Sequence, residues 1–556
     1  MLLSLTNLLI SLAATAAATP TTTPTKPSCS NIPAPVIPGL EILSLTSTEL
    51  LNHTVPATPP FLNNPVPNLN VCAVIVTVTH PGANDTVNIH IWLPLDTPTT
   101  NPNPNPSSSP PWNTRFIALG GSAWAAGHGA LSIAPYAARG FAAGTTDAGL
   151  PPDLASVATP SGWALRPDGT VNAELLTNFA GRSVHDLAVV GKAVVKEFYG
   201  REARWAYWEG CSSGGRQGLV AAQRWPGDFD GVVVGAPAVY WTRYVVAELW
   251  PQVVMAEAGY FPRDCEFEAV RADVVDVCDG LDGVRDGVVA DGVGCGKRYD
   301  PGRLLGRKVK CGDGEVAVGP ELVDVVKKIW EGPKTAEGSP LWYGLPVDSP
   351  LTSLAETLDV NSTHRTGAPF FVASDWVKYF VKADPMFDLS GLSSTTLREL
   401  FAESVDKFAS LIDSSNPDLS GFRKAGGKLL VWHGGADNII FPQDSIQYRS
   451  DVQKAMAVSR RQLDDFMRLF IAPGVDHCAQ GSIDGAGPTD ALGSLMDWVE
   501  KGRAPGKLAA ATLPEAKTQF TRKLCPYPLV ARYDGRGDPS VAESYRCAEG
   551  FGQSCA

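Results

Sequence analysis

The stretch YWEGCSSGGRQG, Tyr207 to Gly218, runs from an apolar segment into glycines that enclose a cysteine and two serines. Within it Gly210-Cys211-Ser212-Ser213-Gly214 fits G-x-S-x-G, with the strand-like ARWAYWEG before it and the helix-like RQGLVAAQRW after it. Strand, tight turn and helix in that order hold a serine above the end of a sheet as an exposed nucleophile. The glycines are needed because the turn brings neighbouring backbone too close for side chains. The competing reading of the same residues is a glycine-rich loop in which Ser212 merely caps the next helix.

Outward from this turn the chain keeps one texture, short apolar runs separated by helical segments. RFIALGG, GFAAGTTDAG, GVVVGAP, GGKLLVWHGGAD and MRLFIAPGVDHC each read as a buried strand ending in a loop, and SVHDLAVVGKAVVKEFYG reads as an amphipathic helix stopped by Gly200. This is the pattern of a mostly parallel sheet with helices on both faces. Upstream, VCAVIVTVTH and TVNIHIWLPL alternate and predict an antiparallel start to the sheet. The segment from Thr97 to Trp112, TPTTNPNPNPSSSPPW, is too rich in Pro, Asn and Ser to pack and is expected to be a surface loop. From Val239 to about Gly426 the strand rhythm fades, which suggests a lid inserted over the strand ends. The expected fold is an α/β-hydrolase with a large inserted lid: a leader over residues 1–18, a catalytic domain from 19–240 and 425–556, and a lid from 241–424.

The chain of 556 residues is 44% hydrophobic and 19% charged, enough to bury a large core. Its net charge of -12, with no dense Lys/Arg cluster, makes nucleic acid and anionic membranes poor partners. The opening residues carry an apolar run that ends in Ala16, Ala17 and Ala18, the form of a secretory signal cleaved near Ala18. That run is shorter than the roughly 20 residues a membrane span needs. Sequons at Asn52, Asn84 and Asn361 agree with a secreted, extracellular protein. Eleven cysteines in such a chain imply disulfides, and the odd count leaves one over, for which the penultimate Cys555 is the expected candidate.

A serine hydroxyl needs a general base and a carboxylate to orient that base. In this fold the chain order is Ser, acid, His. Three histidines follow Ser212: His364, His433 and His477. His364 lies beside a sequon in the lid, and His433 as base would push the acid back into the lid. His477, in PGVDHCAQG after the apolar run RLFIA, stands where the base is expected. Asp437, in VWHGGADNIIFP, is then the acid, with Asp476 as the alternative. For the oxyanion hole the residue after the nucleophile, Ser213, supplies one backbone N–H. The second is expected from the strand end ALGGSAW, at Gly121 or nearly as well at Ser122.

The residues GCSSGGRQ, HGGADNIIFP and DHC, with GFAAGTTDAG, GRSVHDLAVVGKAVVKEFYG and GDFDGVVVGAPA, resemble the fungal tannase/feruloyl esterase family of secreted serine esterases. The resemblance implies a triad of Ser212, Asp437 and His477, with Cys211 bonded to Cys478 beside it. It implies esters of aromatic acids as substrates, feruloyl or other hydroxycinnamoyl esters, small or linked to cell-wall polysaccharide, with galloyl esters of tannins as the alternative. A non-catalytic binding protein on the same fold and a secreted serine peptidase are the readings from other classes.

In the lid, CDGLDGVRDGVVADGVGC brings Asp279, Asp282 and Asp286 together among glycines. By itself this is an acidic turn without EF-hand spacing. The resemblance implies a structural calcium loop, with main-chain carbonyls of Val284 and Val288 completing the ligands. Cys278 and Cys295 bracket it and are expected to pair. The remaining pairings expected are Cys29 with Cys72, Cys265 with Cys311, and Cys525 with Cys547.

Overall fold

The computed structural model describes residues 28–95, 110–153, 155–361, 364–481 and 484–550. The expected leader, most of the Pro/Asn-rich loop and Cys555 lie outside the described residues.

The centre is a nine-stranded sheet. Its strands are β1 (Glu41–Val55), β2 (Val66–Thr79), β3 (Val87–Pro94), β4 (Arg115–Leu119), β5 (Ala142–Thr146), β6 (Trp205–Cys211) and β7 (Gly231–Gly235). Two lid hairpins follow, β8 (Lys308–Cys311) with β9 (Gly314–Ala317) and β10 (Thr357–Asn361) with β11 (His364–Gly367), before β12 (Lys428–Gly434) and β13 (Met467–Ala472) complete the sheet. Its order is β1-β2-β3-β5-β4-β6-β7-β12-β13. The first three strands join antiparallel, and from β5 onward every neighbour is parallel.

The chemistry of each strand explains its place. β7, GVVVG, is buried at every position, as a strand covered on both faces must be. The helix Ser183–Tyr199 buries Val184, Leu187, Val190 and Val194 along one face and ends where Gly200 takes φ 67°. It covers one face of the sheet with the helix Pro442–Ala455, whereas Ala130–Ala137 and Ala491–Lys501 cover the other through Ile133, Leu495 and Trp498.

β1 was not read from the sequence. Its alternation is between half-buried and exposed residues, so EILSLTSTELLNHTV carries too little apolar signal. Trp112 corrects the expected loop. It is buried, its ring stacks on Tyr199 at 3.9 Å, and its indole N–H donates to the Arg115 carbonyl. The last residue of the Pro/Asn-rich segment is therefore core.

The chain leaves the sheet after Gly235 and returns at Lys428. The intervening helices and the β8–β9 hairpin share one apolar core with Trp124, Trp163 and Phe179 from the first half of the chain. Beyond β13 the chain builds two small antiparallel sheets, β14 (Gly487–Pro488) with β15 (Leu508–Ala511) and β16 (Thr521–Leu524), and β17 (Leu529–Tyr533) with β18 (Tyr545–Glu549). Five disulfides join Cys29–Cys72, Cys211–Cys478, Cys265–Cys311, Cys278–Cys295 and Cys525–Cys547. The sequons place Asn52, Asn84 and Asn361 at exposed positions.

Candidate active site

At the end of β6 the backbone turns sharply at Ser212, with φ 61° and ψ -123°, and enters the helix Ser213–Arg224. A non-glycine residue with positive φ is strained and persists only where its surroundings hold it. Here the Ser212 N–H donates to the Gly235 carbonyl at 3.0 Å, and Ser213 Oγ donates to the Ala123 carbonyl at 2.8 Å. A Cβ on Gly210 would sit 2.5 Å from the Gly214 carbonyl oxygen, and one on Gly214 would sit 2.8 Å from that of Gly121. The glycines are thus required by close approach. Ser212 is half-buried, and its side chain makes no capping bond to the helix, which sets aside the capping reading.

His477 and Asp437 come together in the loops after β13 and β12. His477 Nδ1 is 2.8 Å from Asp437 Oδ2. Because an ionised carboxylate only accepts, Nδ1 carries the proton and Nε2 is left as the basic nitrogen. Asp437 is fully buried, and its Oδ1 accepts the N–H groups of Ile439 and Ile440, both at 2.9 Å. Burial alone would raise its pKa, but the charge of His477 and the hydrogen bonds from His433 and His477 hold the carboxyl far below the usual range. Asp476 is also buried, but it is not the carboxylate bonded to His477.

The disulfide Cys211–Cys478 joins the residue before Ser212 to the residue after His477, with a Cα–Cα distance of 6.1 Å. The loops that carry serine and histidine are therefore fastened at the point where they meet.

Three contributors were missed at the sequence level. His433, set aside as a base, is fully buried behind Asp437. Its Nε2 lies 3.0 Å from the Ile440 carbonyl and 3.2 Å from Asp437 Oδ2, and its Nδ1 lies 2.8 Å from Ser445 Oγ. A carbonyl only accepts, so Nε2 carries the hydrogen. Arg216, one turn into the elbow helix, is fully buried and donates to the carbonyls of Phe179, Ala180 and Ile412, tying the elbow to the lid helix Ser394–Ile412. Gln217 accepts the Gly121 N–H at 3.0 Å and donates to the Ala126 carbonyl.

That last bond corrects the oxyanion assignment. The Gly121 N–H is committed to a buried side chain and is not free to face a developing charge. The neighbouring Ser122 N–H meets no hydrogen-bond partner among the described residues, and neither does the Ser213 N–H at the start of the elbow helix. Ser122 Oγ lies 3.0 Å from Nε2 of His128, whose pKa burial pushes down to about 4, so this ring is neutral at neutral pH.

The acid pair Glu248 and Asp444 is fully buried near Asp437, and burial, then the Asp437 charge, push both carboxyls well above their ordinary range.

In the lid, Asp279 accepts the N–H groups of Asp286 and Gly287, Asp282 accepts that of Val284, and Asp286 accepts that of Val288. Burial, then the charges of Asp286 and Asp279, push Asp282 up to about 6. Asp286 also pairs with Arg522, whose guanidinium lies between the rings of Phe520 and Tyr545 at 4.2 and 4.3 Å. The donor set is all hard oxygen and its charges repel one another, which suits a hard cation. Among the described residues no three His, Cys, Asp or Glu side chains converge as a metal-ligand group, so main-chain carbonyls would have to complete the shell.

Residues 76–548 match the family model described as tannase and feruloyl esterase. A probable feruloyl esterase of Arthroderma benhamiae is 44% identical over 526 residues, covering 94% of each chain. The solved tannin acyl hydrolase from Aspergillus niger superposes with a TM-score of 0.81 at 26% identity, covering 93% of each chain. Feruloyl esterase B from Aspergillus oryzae superposes with a TM-score of 0.72 at 27% identity, covering 92% of this chain and 97% of that one.

Proposed function

This chain belongs to the tannase and feruloyl esterase family, an ester hydrolase of aromatic acid esters, and from that premise we propose how its own residues carry the reaction. Ser212 Oγ attacks the ester carbonyl carbon while His477 Nε2 takes the hydroxyl proton. The carbonyl oxygen becomes an oxyanion that the N–H groups of Ser213 and Ser122 receive. The tetrahedral adduct collapses by breaking the bond to the alcohol, which leaves with the proton from Nε2. A water molecule then gives a proton to His477 and attacks the acyl-serine, and the aromatic acid departs as Ser212 recovers its hydrogen. Asp437 keeps His477 in the required tautomer throughout. The observation that carries this reading is the 2.8 Å bond from His477 to Asp437, in loops locked to the serine elbow by Cys211–Cys478.

The acyl group proposed is hydroxycinnamoyl, on small esters or on polysaccharide, since the feruloyl esterase relative aligns over 94% of both chains. The galloyl reading has its own support in the superposition with the tannin acyl hydrolase. A panel of methyl ferulate, caffeate, sinapate and gallate with terephthalate monoesters separates them. Ser212→Ala should lose at least about ten-thousandfold in kcat on the best of these, as removal of a triad nucleophile does. Equal rates for both proteins would refute the esterase reading, and peptide cleavage without ester cleavage would favour a peptidase.

The chain is further proposed to be secreted and glycosylated, on the strength of its sequons and five disulfides. No helix among the described residues is long and apolar enough to cross a membrane. Asp279, Asp282 and Asp286, with the carbonyls of Val284 and Val288, are proposed to hold a structural calcium ion, whose charge would offset the burial and the repulsion that raise Asp282.

A further inference from the structure

The Ser122 N–H can receive an oxyanion only if the turn after β4 holds it in place, and that turn is not a relaxed one. Ala123 takes φ 43°, in the left-handed region that a residue with a Cβ adopts at a cost. Gly121 lies so close to the chain that follows that a Cβ on it would sit 2.1 Å from the Ala125 carbonyl oxygen. One internal bond, from the Ala125 N–H to the Ser122 carbonyl at 2.9 Å, closes the turn. A backbone of this kind keeps its shape only where its surroundings hold it.

The holding groups come from the helix Ser213–Arg224, which starts at the nucleophile. Gln217 is fully buried, and its side-chain amide spans the turn. Oε1 accepts the Gly121 N–H at 3.0 Å, and Nε2 donates to the Ala126 carbonyl at 3.1 Å. An N–H only donates and a carbonyl only accepts, so these partners fix which way the amide lies. Ser213 Oγ donates to the Ala123 carbonyl at 2.8 Å, at the strained residue itself. Ser213 and Gln217 stand at i and i+4 and share a face of the helix. Among the described residues, the hydrogen bonds of both side chains go to this turn alone. Gly121 and Ala123, the neighbours of Ser122 on either side, are thus tied to the helix whose first N–H, that of Ser213, is the other oxyanion donor.

We propose that Gln217 is a positioning residue of the esterase reaction, which with the Ser213 hydroxyl fixes the Ser122 N–H relative to the Ser213 N–H so that both meet one oxyanion. The inference rests on the assignment of these two N–H groups as the oxyanion donors. Donors of this kind are placed for the tetrahedral oxyanion and not for the ground-state carbonyl. A loosened turn should therefore cost stabilisation of the transition state and leave the binding of substrate or product nearly as it was. Leucine at position 217 would fill much of the same space while leaving the Gly121 N–H and the Ala126 carbonyl without their partner.

The test compares the unaltered protein with Gln217→Leu and Ser213→Ala on whichever ester of the panel the unaltered protein hydrolyses fastest. Phenyl trifluoromethyl ketone probes the oxyanion site: Ser212 Oγ adds to its carbonyl carbon, the C=O π pair becomes the oxyanion, and the hydroxyl proton passes to His477 Nε2. The free acid product probes ordinary binding. Gln217→Leu should lose about tenfold to a hundredfold in kcat and in affinity for the ketone, with KM and affinity for the acid changed by less than about twofold. Ser213→Ala, which removes one hydroxyl, should show the same split at about threefold to tenfold. A kcat within about twofold of the unaltered protein in Gln217→Leu, or ketone and acid affinities that fall together, would overturn the proposal. If Gln217→Leu lacks a cooperative thermal transition, the same two criteria applied to Ser213→Ala decide. Failure of the unaltered protein to hydrolyse any ester of the panel would refute the underlying reading, whereas its turnover beside an unaffected variant refutes this proposal alone.

Discussion

Asp437 shows how a buried carboxylate is kept ionised. Two backbone N–H groups fill one oxygen, and two imidazoles face the other. The linkage has a definite sign: with the folded pKa depressed, its stabilising contribution is fully present above the ordinary carboxyl value near ~4 and is lost only as the pH falls through the lower folded value. His433 is the member of this set that touches no reacting atom, so it acts by positioning Asp437. His433→Leu should lower kcat on methyl ferulate by about tenfold to a hundredfold with KM little changed, as small misplacements of a catalytic group do. His433→Gln, which keeps an N–H donor, should recover most of the loss. Equal deficits in the two variants would mean that the ring only fills space.

Between residue and fold stand the elbow and the loops bonded to it. In the chain-entropy account a crosslink across 267 residues contributes up to about 5–6 kcal/mol. The more specific expectation concerns rate: Cys211→Ala with Cys478→Ala should lose at least about tenfold in kcat while keeping its helical circular dichroism. Full turnover in that variant would leave the bond a role in stability alone. The elements around this site were legible where chemistry forces a local pattern. The G-x-S-x-G turn needs its glycines, β7 needs an unbroken apolar run, and the loops after β12 and β13 follow similar runs. They were illegible where a distant partner decides. Gly121 reads as an amide donor until Gln217, 96 residues later, accepts its N–H. Arg216 drew no reading from the sequence, because it is buried against carbonyls from segments whose position the sequence does not disclose. β1 escaped because a half-covered edge strand needs little apolar sequence.

Across the whole molecule, the acidic loop of the lid is tied to the C-terminal sheet by the pair of Asp286 with Arg522. If calcium occupies that loop, chelation should loosen lid and C-terminal segment together. EDTA is expected to lower the thermal midpoint by about 5 °C or more, with recovery on added calcium but not magnesium. An unchanged midpoint would leave the three aspartates an ordinary acidic turn.

The central sheet also has two unlike ends. Beside β13 the C-terminal chain lays Pro526 against Phe470 and donates the Tyr527 N–H to Leu469, so that edge is covered. Among the described residues β1 pairs with β2 alone, and Leu43 and Leu51 on it are 49% and 59% exposed. An edge strand of 15 residues is a template on which a second copy could add its own strand, the first step of aggregation. Asn52 lies on that strand, exposed and with φ 50°. If Asn52 carries a glycan, its bulk beside that edge would hinder the addition of a strand from a second copy.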